Sequence, residues 1–243
     1  MRLLASVTTP QEARLAMAGG ADVIDAKDPA RGALGALDST TLRAIRAVVA
    51  SNVPLSATTG DLPVDQPQSI INEVARVAAT SVDIVKIGFF GPAPAAPLIA
   101  ALAAHHDEAH AFGRRVAVLL ADRAPDWNIV ARLPAAGFSG VMLDTEDKAS
   151  GALLDVVSLG EIETFIAGAR SAGLFAGLAG ALRLRHIPEV RALEPDVVGF
   201  RGALCRHEDR TARLDLEAVR QVRAVLHGAG TKKKLSGAPP PPE

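Results

Sequence analysis

The chain is poor in aromatic residues, lacks tyrosine, contains one tryptophan and carries a formal net charge of −1. Proteins that bind nucleic acid or anionic membranes need basic surfaces, and binding of single strands also needs stacking rings, so neither partner is expected. The one cysteine, Cys205, excludes an intrachain disulfide framework and a thiolate metal cluster.

Long apolar runs are missing as well. No segment reaches the length of a membrane span, and the apolar stretch 3–7 near the start is too short for the core of a signal peptide. We therefore expect a soluble, cytoplasmic protein.

What the 243-residue sequence does contain is a repeated pattern of short apolar runs, each followed by a stretch with helical signals. Continuous apolar runs are typical of parallel strands covered on both faces. Eight such units predict an α/β fold, a single-domain (β/α)₈ TIM barrel over residues 1–230. A doubly wound open sheet is the main alternative, but no G-x-G-x-x-G motif opens the first helix. The expected strands are 3–7, 22–27, 54–58, 82–87, 115–120, 140–144, 174–178 and 196–200.

The helical stretches follow these strands in alternation. They include 97–112 after the fourth strand, 127–136 after the fifth and 183–193 after the seventh. Residues 231–243 differ from all of them, because they combine three consecutive lysines with four consecutive prolines. Such a composition cannot build a packed core, so we predict a flexible, Pro-rich C-terminal tail.

In a TIM barrel the active site lies at the carboxyl ends of the strands, so charged residues there are functional candidates. Lys86 ends a β-branched apolar strand. A buried lysine either finds a partner or loses its proton, and a neutral amine attacks aldehydes. A salt-bridged structural lysine is an equally ordinary interpretation when Lys86 is taken alone.

Other charged residues accompany it. Asp25 and Lys27 lie two apart on the second strand and hence on one face, which favours a proton-transfer pair over a structural ion pair. Asp144 ends the sixth strand, and Lys148 follows in the next loop. These five residues are the candidate catalytic groups.

Polar and glycine-rich turns follow three more strands and are the candidate binding elements. The third strand ends in a polar mouth, and the turns after the seventh and eighth strands suit phosphate binding through backbone N–H groups and the cation of Arg201. The candidate substrate-binding residues are Ser56, Thr58, Asp61, Gly177, Ala179, Gly180, Gly199, Arg201 and Gly202.

The histidines suggest no metal site. His105, His106 and His110 fall near the end of a predicted helix and lack the glutamate of an H-E-x-x-H motif, which favours a surface location. His186 lies close enough to the glycine-rich turns to be a minor candidate.

Six segments, taken together, resemble those of the (5-formylfuran-3-yl)methyl phosphate synthase family, which makes the furan precursor of methanofuran. They are 19–29 (GGADVIDAKDP), 55–61 (LSATTGD), 83–88 (DIVKIG), 142–145 (MLDT) with Lys148, 178–180 (LAG) and 198–203 (VGFRGA). The acidic residues Glu146 and Asp147 depart from the pattern expected just before Lys148.

The resemblance implies a TIM barrel that condenses two molecules of glyceraldehyde 3-phosphate, a phosphorylated aldehyde, with loss of phosphate and water. It further implies a Schiff base on Lys86, proton relay by Lys27 with Asp25, assistance by Asp144 and Lys148, and no cofactor. The alternatives are another class I aldolase or isomerase of phosphorylated sugars, and a non-catalytic barrel that binds a phosphometabolite. A homo-oligomer is left open.

Overall fold

The computed structural model describes residues 1–90, 94–105, 114–147 and 151–228. Lys148, His106, His110 and the predicted tail 231–243 lie outside these ranges. Eight parallel strands form a closed barrel in the order β1 to β8, which confirms the predicted TIM barrel. The strands are β1 Arg2–Val7, β2 Val23–Ala26, β3 Leu55–Thr58, β4 Ile84–Phe89, β5 Arg114–Leu120, β6 Phe138–Asp144, β7 Phe175–Leu178 and β8 Val197–Phe200.

Helices connect successive strands. The first shows why they start where they do: Pro10 occupies its opening turn, and the Thr9 hydroxyl accepts a hydrogen bond from the Glu12 N–H. The α-helices of the described ranges are α1 Pro10–Ala18, α2 Ser39–Arg46, α3 Pro67–Ala78, α4 Ala96–Ala104, α5 Leu153–Val156, α6 Leu159–Ser171, α7 Ile187–Ala192 and α8 Leu216–Leu226. Within those ranges, no helix combines the length and apolar character needed to cross a membrane.

Two expected helices differ in the structure. Residues 127–136 form two 3₁₀ turns, Trp127–Arg132 and Pro134–Ala136, because Pro134 removes the N–H donor that a continuous α-helix needs there. The stretch 183–193 begins with the 3₁₀ turn Leu184–His186, and α-helical geometry starts only at Ile187, next to Pro188.

Each strand buries both faces, which explains the continuous apolar runs. On β1, Leu3, Ala5 and Val7 pack outward into the main core between strands and helices. Leu4 points into the barrel, where it joins a second, smaller cluster with side chains such as Val116 and Met142. Apolar packing therefore fills the lower barrel and leaves polar side chains to the carboxyl ends of the strands.

Small residues on β6, β7 and β8 make room inside the barrel. A Cβ atom on Gly177 would come within 2.5 Å of the Met142 side chain, and one on Gly140 within 2.4 Å of the Phe175 ring. Gly199 lines a cavity at the carboxyl ends of the strands. The missing side chains on β7 and β8 therefore place the open space above the apolar cluster and toward these two strands.

Candidate active site

A cavity of about 300 Å³ opens at the carboxyl ends of the strands. Its floor carries the side chains of Asp25, Lys27, Lys86 and Asp144, which come from β2, β4 and β6 and from the residue after β2. The loops after β7 and β8 form its wall. The four side chains are therefore brought together by barrel closure, since 119 residues of sequence separate the first from the last.

Asp25 is the most deeply buried member of this group, with no exposed surface. Its carboxylate accepts hydrogen bonds from Lys86 Nζ at 3.0 Å, Ser56 Oγ at 2.6 Å and Ser6 Oγ at 3.2 Å. Burial alone would raise the pKa of Asp25, but the charges of Lys86 and Lys27 and the Ser56 hydrogen bond outweigh it and hold the pKa below its ordinary value. Asp25 is therefore an ionised acceptor.

Lys86 is only 3% exposed. Burial lowers the pKa of its ammonium group below the ordinary value, and the charge of Lys27 adds to that effect while Asp25 opposes it. A lysine in this environment gives up its proton more easily than one in water. Lys86 is thus positioned to act as an amine.

Lys27 pairs with a different carboxylate from the one expected. Its Nζ lies 3.6 Å from Asp144 Oδ2 and donates to the Ala33 carbonyl at 3.3 Å, whereas Asp25 pairs with Lys86. A two-residue step moves a side chain about 6.6 Å along a strand, so Lys27 lies nearer the mouth than Asp25. The predicted direct pair of Asp25 and Lys27 is replaced by two neighbouring lysine–carboxylate pairs.

Among the described residues, lysine occurs only at this floor. Lys27 and Lys86 are the only lysines within the described ranges, where arginine supplies every other side-chain cation apart from histidine. An arginine stays protonated at any physiological pH, whereas a buried lysine can lose its proton. The cationic side chains that can lose a proton, Lys27 and Lys86, therefore lie next to the carboxylates of Asp144 and Asp25, with which they can exchange protons.

The predicted binding residues separate into two groups. Ala179, Gly180, Gly199, Arg201 and Gly202 line the cavity. The remaining four residues lie away from the cavity lining. Ser56 donates a hydrogen bond to Asp25, and Thr58 donates one to the Gly35 carbonyl. Asp61 accepts hydrogen bonds from the N–H groups of Ala33 and Leu34, and Gly177 packs against the Met142 side chain.

Arg201 was expected to supply a cation for phosphate binding, and the structure shows its donors bound to protein groups. Its Nη atoms bind both oxygens of Glu12, at 2.6 and 3.1 Å. Its remaining N–H groups donate to the carbonyls of Ser6, Arg210 and Ala212. All five donors are thus directed to protein oxygens. Arg201 fastens the loop after β8 to β1 and α1, and no donor is left for a ligand.

Two arginines that the sequence analysis did not select do line the cavity, Arg183 after β7 and Arg210 after β8. Their position in the loops that follow the last two strands was the available signal. The same wall includes Gly180 at φ +104°, where a Cβ would come within 3.1 Å of the Thr145 backbone. The N–H groups of Gly180, Ala181 and Leu182 donate to no oxygen of the described ranges, so this turn retains donors for an anion.

The described histidines lie away from the cavity lining. His186 accepts a hydrogen bond from the Arg183 N–H through Nδ1, and His105 bonds the Ala101 carbonyl. Burial lowers the pKa of His186. In the part of the chain that the structure covers, no group of three or more His, Cys, Asp or Glu residues could hold a metal ion.

A family model described as 4-HFC-P synthase matches residues 3–223, which include all eight strand ends and the four residues of the cavity floor. The chain belongs to the 4-HFC-P synthase family. The family resemblance seen in six sequence segments is thereby confirmed.

Curated relatives of this 4-HFC-P synthase family member agree. A (5-formylfuran-3-yl)methyl phosphate synthase of Methanocaldococcus jannaschii is 33% identical over 234 residues, which cover 93% of this chain and 99% of that protein. A protein of Methylorubrum extorquens, provisionally named for the same activity, is 45% identical over 220 residues, which cover 90% of this chain and 89% of that protein.

Solved structures agree on the fold. 3-Hexulose-6-phosphate synthase from Salmonella typhimurium superposes with a TM-score of 0.66 at 18% identity, over 95% of this chain and 100% of that one. Phosphoribosyl anthranilate isomerase from Thermus thermophilus gives a TM-score of 0.64 at 17% identity, over the same shares of the two chains. At these identities the likeness concerns the barrel alone.

Proposed function

We propose that the protein is a (5-formylfuran-3-yl)methyl phosphate synthase. It condenses two molecules of glyceraldehyde 3-phosphate into a furan aldehyde phosphate, with release of one phosphate and two waters, for the biosynthesis of methanofuran or a related one-carbon carrier. The observation that carries the proposal is the cavity floor, where two lysines and two carboxylates form two neighbouring ion pairs. Membership of the 4-HFC-P synthase family supports the product.

Lys86 forms the imine in this proposal. Joining two aldehydes is easier when one becomes an imine and then an enamine, because the enamine carbon attacks the second carbonyl. The lowered pKa of Lys86 favours the amine that starts this sequence. Asp25, 3.0 Å from Lys86 Nζ, stabilises the iminium cation that follows and accepts the proton that leaves the α-carbon as the enamine forms.

Lys27 and Asp144 supply the second proton-transfer pair. Lys27 Nζ lies 3.6 Å from Asp144 Oδ2 and nearer the mouth, where the second aldehyde would lie. A lysine ammonium there can donate a proton to the oxygen that becomes negative as the carbon–carbon bond forms. Lys148, four positions after Asp144 in the sequence, assists it. The iminium withdraws electrons and promotes the loss of phosphate and water, so the steps require no redox or metal cofactor.

The first experiment is product analysis after incubation with glyceraldehyde 3-phosphate alone. A furan aldehyde chromophore, free phosphate and a product mass equal to two substrates minus one phosphate and two waters are expected. Reversible aldol products without free phosphate would point to an aldolase of phosphorylated sugars. Binding of the substrate without any product would point to a phosphometabolite-binding barrel.

The second experiment tests the imine. Borohydride added during turnover should reduce it to a stable secondary amine, which peptide mass mapping should find on Lys86. Lys86→Arg keeps the positive charge but forms no such imine, so it should be inactive and unlabelled. Lys27→Arg is the matched variant, expected to retain the adduct on Lys86 with reduced turnover. An adduct on Lys27 in the wild type would exchange the roles of the two lysines.

A further inference from the structure

Three arginines line the cavity, and two of them already have a carboxylate partner. Arg201 pairs with Glu12, and Arg183 Nη1 lies 3.5 Å from the Glu208 carboxylate. Arg210 has no carboxylate within ion-pair distance in the described ranges; the one hydrogen bond that its side chain makes there runs from Nη2 to the Gly32 carbonyl, at 3.1 Å. Among the three, Arg210 is therefore the cavity arginine without a carboxylate partner, and its Nε and Nη1 groups are left for a ligand.

The backbone of Arg210 is held firmly in place. Cys205 pairs with Leu214 in an antiparallel bridge, which closes the excursion 205–214 after β8, here called the β8 loop. Inside this loop, Arg201 Nε donates to the Arg210 carbonyl at 2.9 Å and Nη2 to the Ala212 carbonyl at 3.0 Å. The arginine beneath the loop thus sets the position of the arginine at its tip.

Arg210 carries a partly desolvated cation. The side chain is half-buried, and burial lowers the pKa of its guanidinium; the charge of Arg201 adds to that effect, while the more distant carboxylates of Asp144, Asp61 and Asp28 oppose it. The neighbouring Asp209 directs Oδ1 to the N–H and hydroxyl of Thr211. A partly desolvated cation without a paired carboxylate is stabilised by an anion that reaches it, and a guanidinium matches a phosphate with two parallel hydrogen bonds.

We infer that Arg210 binds a phosphate group of the substrate at the side of the cavity next to Lys27 and Asp144, and that Arg201 with Glu12 is its positioning unit. This inference rests on the proposed function, in which two triose phosphates occupy the site together and two phosphates need anchors. The free N–H groups of 180–182 serve one phosphate on the β7 side. Arg210, which reaches the Gly32 carbonyl after β2, serves the other across the mouth.

The test is calorimetric titration with inorganic phosphate, followed by steady-state kinetics with glyceraldehyde 3-phosphate. Arg210→Gln should weaken phosphate binding by about 10- to 100-fold, the usual worth of a hydrogen-bonded charge. KM should rise by more than kcat falls, because a phosphate anchor remote from the reacting carbon contributes mainly uniform binding. Arg210→Lys, which keeps the charge but not the fork, should fall between wild type and Arg210→Gln.

Arg206→Gln is the matched control, since Arg206 is an exposed arginine of the same loop that lies outside the cavity lining. It should bind phosphate like wild type. Glu12→Gln should weaken phosphate binding at a temperature where circular dichroism shows a folded chain, and unchanged affinity would leave Arg201 with a structural role only. Phosphate affinity in Arg210→Gln equal to wild type would overturn the inference. If wild type binds phosphate through Arg210 but forms no furan, the proposed function fails and the phosphate site stands.

Discussion

Two ion pairs of similar burial lie a short distance apart in this barrel and differ in what surrounds them. Asp25–Lys86 is at the cavity floor with an oxygen–nitrogen distance of 3.0 Å, and Glu12–Arg201 is beneath the β8 loop at 2.6 Å. Every N–H of Arg201 meets a protein oxygen. The Lys86 ammonium has one acceptor in the described ranges, Asp25.

The difference shows that a buried ion pair is by itself no sign of chemistry. Removing either partner of such a pair leaves an uncompensated buried charge, so both pairs are expected to matter for the protein. What separates them is unused hydrogen-bonding capacity, since Arg201 lines the cavity as well. Lys86 retains donors and a lowered pKa, and both members of its pair line the cavity. Arg201 is saturated, which is typical of a group that holds other groups in place.

The largest effect should come from the floor pair. Asp25→Asn removes the proton acceptor beside Lys86, and turnover should fall by about 10²–10⁴-fold, the usual worth of general acid–base catalysis. The fold should survive, because burial already lowers the pKa of Lys86 and allows it to become neutral when its partner is lost. Kinetics and the thermal midpoint measure the two effects separately.

The control is Asp65→Asn, an exposed aspartate outside the cavity lining. It should match wild type in both measurements. If Asp25→Asn turned over normally, or unfolded at room temperature, the contrast between a chemical and a structural pair would be lost.

The second effect is on stability. Glu12→Gln leaves the buried Arg201 charge without its partner, which typically costs about 3–5 kcal/mol and should lower Tm by roughly 6–20 °C in a chain of this size. Turnover at a temperature well below Tm should fall less than in Asp25→Asn. The exposed pair of Arg123 and Glu146 provides the comparison: Glu146→Gln should leave Tm nearly unchanged.

The Glu12–Arg201 ion pair should also make thermal stability depend on pH in the acid range. Burial tends to raise the pKa of Glu12, but Arg201 and the N–H groups of Thr8 and Leu214 outweigh it and hold the pKa below the ordinary 4.5. A carboxyl group with a lowered pKa in the folded state contributes stability that is fully present above its unfolded pKa. That stability is lost as pH falls through the folded value. Wild type should therefore lose Tm below about pH 4.5 more steeply than Glu12→Gln. Equal slopes would mean that other carboxyl groups dominate acid unfolding.

The smallest expected effect is a difference in kcat between variants of the two serines that donate hydrogen bonds to Asp25. Ser56 Oγ donates at 2.6 Å and Ser6 Oγ at 3.2 Å, and a shorter bond to an ionised acceptor is stronger. Ser56→Ala should lower kcat by about tenfold, the worth of one hydrogen bond to a charged group, and Ser6→Ala by less. Matched kcat measurements decide it. Equal losses would show that Asp25 does not discriminate between the two donors.

The barrel could be predicted from the sequence because its signals are local. Each strand is recognisable in the sequence as a short apolar run, and the residues that end those runs must come together when the sheet closes into a barrel. That is why Asp25, Lys86 and Asp144, far apart in sequence, could be assigned to one mouth. Their catalytic roles stay predictions, since placement alone tests no chemistry.

What the sequence could not supply were partners across the barrel. Glu12 and Arg201 are separated by 189 positions, and nothing in either local pattern links them. Arg201 was therefore predicted to bind phosphate, although its donors are filled by Glu12 and three carbonyls. Arg210 was missed for the converse reason: only the folded β8 loop turns it toward the cavity. Asp25 and Lys27 also pair with other residues than expected, because their side chains lie at different heights along the barrel axis. Asp25 pairs with Lys86, and Lys27 pairs with Asp144.

Arg201 holds the β8 loop by hydrogen bonds to two main-chain carbonyls, those of Arg210 and Ala212. All amino acids have a main-chain carbonyl, so these two hydrogen bonds do not depend on which side chains the loop carries. Protein engineers can therefore vary the positions of 206–211 other than Arg210 in a library while leaving Arg201 and Glu12 untouched, and the loop backbone should keep its path. The β8 loop can in that sense be varied separately from the rest of the barrel, and new substrate preferences can be selected without changing the strands and helices that support it.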